Sequence, residues 1–341
     1  MTDLATEPAT GRRVTPTAHL LLPASADRAE WLEVRRGGIG SSDVADALGV
    51  GYTTNQHVYY DKRGELPHDD DPGEAALWGN LHEDTVAREW ARRNRSVVRR
   101  VGIVAHQADL WMRCTLDRRV TECPLNRAER EACALEVKTR NAFVAGKWRR
   151  DVPDDVLAQV LWQIAVTGYD HIHVACLIGG NDYRQYVIRR AGNEQLIADI
   201  VAVCERLWAD IWAGRVPAAS GDPDRLVELY EQLNPDREGV AALDATDAYE
   251  QLLEYESGRL EEKAGKKRKD TAKARLVELL GGAEIGAFGN DYAYGYKASS
   301  RASADLARLA EGFPDAYAAC VRETVSRRID IAKSHRLTEA L

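Results

Sequence analysis

A chain of 341 residues, 45% hydrophobic and 29% charged, can bury one large core or two modest ones and has the composition of an ordinary globular protein. Its six cysteines, Cys114, Cys123, Cys133, Cys176, Cys204 and Cys320, contain no C-x-x-C pair, so their spacing indicates neither zinc nor an iron-sulfur cluster and they read as reduced core thiols. No apolar run approaches a membrane span, and a net charge of -8 argues against indiscriminate nucleic-acid binding while leaving room for a local basic groove.

Residues 1–16 are polar and lack an apolar h-region, which predicts a flexible tail and not a signal peptide, with the cytoplasm as the expected location. A helix is expected over Asp27 to Val34, then the turn Arg36-Gly37-Gly38-Ile39-Gly40 and a second helix from Ser42 to Leu48 capped by Ser41 or Ser42. Helix N-terminal amides behind glycines and beside Arg35 suit a phosphate; an ordinary capped turn fits the same residues, and local spacing leaves both open. From Glu74 to about Arg93, the spacing of Ala76, Leu77, Leu81, Val86 and Trp90 predicts a helix carrying His82 and Glu83.

Strands are expected around Val97 to Val104, Trp111 to Asp117 and Ala134 to Lys138, with a polar insert from Glu122 to Glu131. An amphipathic helix over Asp154 to Thr167 places Gln159 and Gln163 one turn apart. Strands at Ile172 to Ile178 and Tyr183 to Ile188 and a helix from Glu194 to Ala213 complete this part, which Gly214 and Pro217 end. Past Pro223 come short helices, a long arm from Thr246 to Leu280, a strand-like Tyr292 to Lys297, a helix around Ala304 to Gly312 and a last strand near Arg328 to Ile331. The expected organisation is a tail (1–16), an α/β core (17–220) and a helical arm with a small α+β appendage (221–341).

Basic residues cluster twice, at Arg88, Arg92, Arg93, Arg95, Arg99 and Arg100 and between Lys263 and Arg275. The second, diluted by Glu261, Glu262 and Asp270, reads as a solvated helix face. His57, His68, His82 and His106 show no metal-ligand pattern and are expected to be structural or solvent-facing.

Leu135-Glu136-Val137-Lys138 is the most telling stretch. Alternation along a strand puts Glu136 and Lys138 on one side, downstream of Cys114-Thr115-Leu116-Asp117. Asp117 and Glu136 can hold a hard divalent cation through oxygen, and Lys138 can orient or deprotonate a water and balance charge on a five-coordinate phosphate. In isolation such a pair is more often an ordinary surface feature. In order and spacing, however, Glu83 on a helix, Asp117 at a strand end, Glu136-x-Lys138 on the next strand and Gln159 on the next helix resemble the PD-(D/E)xK nuclease superfamily. Within it the chain is similar to the lambda exonuclease and YqaJ-type phage recombinase family. The likeness runs from about Trp31 to Ile188 and rests on Trp31 to Arg35 with Ile39 to Ser42, Trp78 to Glu83, Cys114 to Asp117, Leu135 to Lys138, and Ala158 to Val160 leading to Val166-Thr167-Gly168.

That resemblance implies a restriction-endonuclease-like core, a central mixed sheet flanked by helices. Asp117, Glu136 and the main-chain carbonyl of Val137 would hold Mg²⁺, with Mn²⁺ as the alternative, and Glu83 would complete the site or hold a second ion. Lys138 would position the attacking water, Gln159 would order it or the scissile phosphate, and Arg35 and Ser42 would grip the 5′-terminal phosphate. Arg118 stands where the family usually has glycine and is expected to contact DNA or pair with an acid. The implied activity is 5′-to-3′ exonuclease action on double-stranded DNA, leaving 3′ single strands for a RecT/Beta-type annealing protein. The implied setting is a homo-oligomer, a trimer by the same resemblance, encoded by a phage or prophage and working in the bacterial cytoplasm. The alternatives are another PD-(D/E)xK nuclease, of the restriction-like or CRISPR-associated type, and a catalytically silent DNA-binding recombination scaffold.

Overall fold

The computed structural model describes residues 12–66, 73–125, 132–300, 303–322, 329 and 331, and its contacts divide the chain into two units, Met1–Arg237 and Glu238–Leu341. Residues 1–11 of the expected tail, His68, residues 126–131 of the insert, and Arg328 and Asp330 of the strand expected near Arg328 to Ile331 lie outside the described residues.

The first unit begins with β1 (Ala18–Pro23), a strand absent from the sequence expectation, and α1 (Arg28–Arg36), whose Asp27 cap accepts the Glu30 amide at 2.8 Å. The short α2 (Val44–Ala47) starts later than expected and its cap residue is Asp43, not Ser41 or Ser42. Next come α3 (Asn55–Lys62), opened by a reciprocal Thr54/His57 capping box, and α4 (Gly73–Asn94). The α3 segment escaped the sequence reading because its buried set mixes Val58 and Tyr59 with Asn55, Gln56 and Lys62, which blurs the apolar period.

Of the two expected strands that follow, the first breaks in the middle into β2 (Val98–Arg99) and β3 (Gly102–His106). The second is β4 (Arg113–Leu116), which stops just short of Asp117, and a further strand, β5 (Arg118–Val120), follows beyond its expected end. Gly102, at φ +109°, permits the first bend: a Cβ there would lie 2.1 Å from the Leu22 carbonyl oxygen. The second bend leaves Asp117 alone between two strands of different sheets. β6 (Cys133–Arg140), α5 (Asp154–Thr167), β7 (His171–Ile178), β8 (Asp182–Arg189), α6 (Glu194–Ala213) and α7 (Pro223–Leu233) complete the unit.

Among the described residues, a five-stranded sheet runs β2-β5-β6-β7-β8 and a three-stranded sheet runs β1-β3-β4. The larger sheet is mixed, because β6 and β7 are parallel while its other neighbours are antiparallel. On one face α4 packs Val86, Ala87 and Trp90 against Leu135, Val137 and Ala175. On the other, Val160, Leu161 and Ile164 of α5 join Ile172, Val174 and Cys176 of β7 and Ile197, Ile200 and Cys204 of α6 in the main core. The first unit is therefore the expected mixed sheet flanked by helices.

The second unit contains α8 (Ala245–Leu280), a hairpin of β9 (Ile285–Phe288) and β10 (Asp291–Gly295), α9 (Leu306–Gly312) and α10 (Pro314–Cys320). The hydroxyl of Tyr294 donates to the Leu276 carbonyl at 3.0 Å, tying the hairpin to the long helix. Pairs such as Lys266 with Asp270 run along the solvated face of α8 and contribute a few tenths of a kcal/mol each.

Candidate active site

The bend between β4 and β5 and the central strand β6 together build the site. Asp117 Oδ2 accepts the Val137 amide at 2.7 Å, so the lone residue between the sheets is pinned beside β6. A strand residue sends its N–H and C=O to the same edge, and the Val137 carbonyl therefore also lies on the Asp117 side. Glu136, on the α5 face of the sheet, is buried. Its Oε1 accepts Lys138 Nζ at 2.6 Å and Gln159 Nε2 at 2.6 Å; its Oε2 accepts Gln163 Nε2 at 2.7 Å. Lys138 Nζ also donates to Gln159 Oε1 at 2.7 Å. Gln159 and Gln163, one turn apart on α5, thereby clamp both oxygens of one carboxylate. Gln163 further donates to the Thr115 carbonyl at 3.2 Å; the sequence showed its spacing from Gln159 but not this role.

Asp117 is held well above the ordinary carboxylate range. Burial is the main cause and the neighbouring Glu136 and Glu83 add to it, against the opposing pull of Lys138 and the Val137 amide. Crowded carboxylate and carbonyl oxygens with one ammonium among them are a donor set that a hard divalent cation fits.

Arg118 resolves one open expectation: it pairs with acids. Its buried guanidinium contacts Glu83, reaches Asp84 Oδ1 at 3.0 Å and the Asp117 carbonyl oxygen at 2.5 Å. Glu83 on α4 thus faces a protein-borne cation. A cleft of about 830 Å³ is lined by Glu83, Asp117, Glu136, Lys138, Arg140 and Gln159. A smaller hollow shares Asn80, Glu83 and Asp117 with it and brings in Arg28, Trp31 and Arg100. The two cavities thus meet the same carboxylates, with Arg140 lining the first and Arg28 and Arg100 the second.

The Arg35 to Ser42 turn is more internally committed than the sequence suggested. Asp43 Oδ2 takes the Gly40 amide at 2.8 Å and Lys62 Nζ at 2.6 Å, and Asp43 Oδ1 pairs with Arg35. Burial opposes its ionisation, but Lys62 and Arg35 outweigh it and Asp43 falls to about 2. Arg35, still 31% exposed, also donates to Ser42 Oγ at 3.1 Å and lies over the Trp31 ring. The histidines expected to be structural are occupied elsewhere: His57 in the α3 capping box, His82 against Trp78, His106 with Asp109. Of the basic cluster on α4, Arg88 pairs with Asp84, and Arg92 and Arg93 with Glu89. The sequence reading missed a second constellation: Cys123, Cys133, His171 and His173, all buried, converge on the α4 side of the sheet.

A family model described as the YqaJ-like viral recombinase domain matches residues 30–170. The Bacillus subtilis (strain 168) protein named "Uncharacterized protein YqaJ" is 30% identical over 316 residues, covering 89% of this chain and 94% of its own. Among solved structures, the alkaline exonuclease LHK-Exo from Laribacter hongkongensis matches 55% of this chain and 93% of its own at 18% identity with a TM-score of 0.46. The complex of LHK-Exo with dAMP matches with the same identity, coverage and TM-score.

Proposed function

Because the chain belongs to the YqaJ-like viral recombinase family, we propose that it is a Mg²⁺-dependent exonuclease that degrades double-stranded DNA 5′-to-3′ and leaves 3′ single strands for a RecT/Beta-type annealing protein. The observation that carries this reading is the convergence of Asp117, Glu136, Lys138 and Gln159 at one cleft. Asp117, Glu136, the Val137 carbonyl and Glu83 are the groups that would hold one or two Mg²⁺ ions; Mn²⁺ suits the same oxygens. When bound, such ions supply Lewis-acid stabilisation of charge on the reacting phosphate.

The side chains divide the remaining work. An ammonium has three donors, and two of those of Lys138 are fixed by Glu136 and Gln159. The third is free to hold the attacking water in line with phosphorus and to offset charge as the phosphate becomes five-coordinate. Gln159 locks that rotamer and orders the water or scissile phosphate. Gln163 keeps Glu136 from rotating away. Arg140 grips the backbone within the cleft, Arg28 and Arg100 receive the duplex in the smaller hollow, and Arg35 and Ser42 take the 5′-terminal phosphate. The working form is a homo-oligomer, a trimer in this reading, in the cytoplasm of the bacterial host. Consistent with that setting, no described helix is long and apolar enough to cross a membrane.

The test is incubation with Mg²⁺ and either linear duplex, with or without a 5′ phosphate, or closed circular DNA. Release of mononucleotides from 5′ ends, with circles intact, is expected. Cutting of circles would move the reading to a restriction-like endonuclease, and duplex binding without hydrolysis would make the chain a scaffold.

A further inference from the structure

The parallel pairing of β6 and β7 sets Leu135 opposite His173, which puts Cys133, the first residue of β6, beside His171, the first of β7. Alternation then sends Cys133, His171 and His173 to one face, opposite the face that carries Glu136 and Lys138. Cys123 arrives from the segment after β5. The four residues are 0 to 4% exposed, and one ligand atom from each lies within 4.8 Å of all the others. Cys123 Sγ is 3.0 Å from His171 Nε2 and 3.5 Å from His173 Nε2. Ligands about 2.3 Å (sulfur) and 2.0 to 2.1 Å (nitrogen) from a tetrahedral zinc stand about 3.3 to 3.8 Å apart, so small shifts suffice to close the set.

The surroundings are apolar, with Val120, Leu135 and Trp90 packed around the group and the Trp90 ring 4.8 Å from that of His173. In this pocket Cys123 already meets both imidazoles, and side chains of this kind gathered so closely can share one cation.

We propose that Cys123, Cys133, His171 and His173 form a closed structural zinc site that fastens the segment after β5 to the first residues of β6 and β7. Thiolates and imidazoles select zinc where carboxylates and carbonyls select magnesium, so the two faces of β6 take different ions. Two thiolates neutralise the zinc charge, which allows it to sit in an apolar pocket. Four protein ligands leave no open position, so this metal takes no part in hydrolysis. The inference stands apart from the nuclease reading, since none of the four residues lines the carboxylate cleft.

The experiment uses the full-length chain, purified under reducing conditions and dialysed free of loosely held ions. Elemental analysis is expected to find about one zinc per chain, the stoichiometry of a four-ligand structural site. After denaturing extraction and refolding, Co²⁺ alone is expected to give the visible spectrum of a tetrahedral ion together with thiolate-to-cobalt charge transfer. His171→Asn with His173→Asn is expected to abolish both signals. Should that variant fail to fold, the measurements on the unaltered chain still decide. No zinc as purified and no uptake of Zn²⁺ or Co²⁺ on refolding would overturn the proposal, as would a Cys123 to Cys133 disulfide by mass, or iron with inorganic sulfide in place of zinc.

Discussion

Two aspartates in the core, Asp43 and Asp117, titrate in opposite directions. Asp43 sits between Lys62 and Arg35, with the Gly40 amide on the same carboxylate, and falls to about 2. Asp117 shares its site with Glu136 and Glu83 and is pushed up. Burial acts on both in the same sense, so the difference lies in which partner the chain supplies. At Asp43 the protein brings its own cations and the result is a fixed turn. At Asp117 it brings more carboxylates than ammoniums, which makes a site that favours an ion from outside. In the proposed mechanism the metal ion makes up that deficit, whereas at Asp43 the cations are the protein's own.

The strongest way to break this comparison is Asp117→Asn. Under the proposed mechanism, hydrolysis of linear duplex is expected to fall by about 10³-fold, at least as much as losing one preorganised transition-state contact costs. Metal-free stability is expected to move the other way, rising by roughly 0.5 to 2 kcal/mol at neutral pH, the common gain when a strained active-site group is removed. The sign follows from the direction of the shift. A carboxyl raised in the folded state is favourable while protonated, and that contribution is lost as pH rises above the unfolded value, so the variant's advantage is absent in acid. Thermal unfolding with and without Mg²⁺ at pH 3 and pH 7.5 checks it; an unchanged midpoint at neutral pH would show that the crowding carries no strain.

How far the sequence disclosed these sites follows the range of the interactions. Glu136 and Lys138 were legible because a period of two is local, and α5 came out at its expected bounds because Pro153 and Gly168 bracket an amphipathic run. The Asp43 turn is not legible locally: its spacing points to a serine cap, because Lys62, which fixes Asp43, lies on α3, whose weak apolar pattern hides the helix. The Cys and His group was invisible for a stronger reason. Only His171 and His173, two apart on β7, are regularly spaced; Cys133 joins them through the parallel registration of β6 on β7, and Cys123 through the path of the chain after β5. Asp117 was placed at a strand end, but that the chain changes sheets there is a property of the bend at Gly102 and of its partner strand.

The second prediction tests the other aspartate. Asp43→Asn is expected to cost about 2 kcal/mol at pH 7, the difference between a carboxyl near 2 and one at its usual 3.8, and more because buried Lys62 is left with only Asp61, 3.7 Å away, as counter-charge. Here the folded-state value is depressed, so the contribution is present above pH 4 and fades as pH falls toward 2. Urea unfolding of the two proteins is therefore expected to converge in acid. A constant gap from pH 7 to pH 2 would assign the loss to packing.

Arg118→Gly asks whether Glu83 belongs with the first aspartate or the second. The arginine gives Glu83 a protein-borne cation, as Lys62 does for Asp43, yet Glu83 also lines the cleft with Asp117 and is 28% exposed. Because Glu83 and Asp84 are both partly solvated, water replaces much of what the guanidinium gave and the loss of stability is expected to be only about 1 kcal/mol. The informative readout is metal binding. With Arg118 gone, Glu83 is left facing Asp117 and Glu136 without a counter-charge, and calorimetric titration with Mn²⁺ is expected to show tighter or additional binding. An unchanged isotherm would place Glu83 with Asp43, as an acid already satisfied by the chain, and leave Asp117, Glu136 and the Val137 carbonyl as the protein groups that hold the ion.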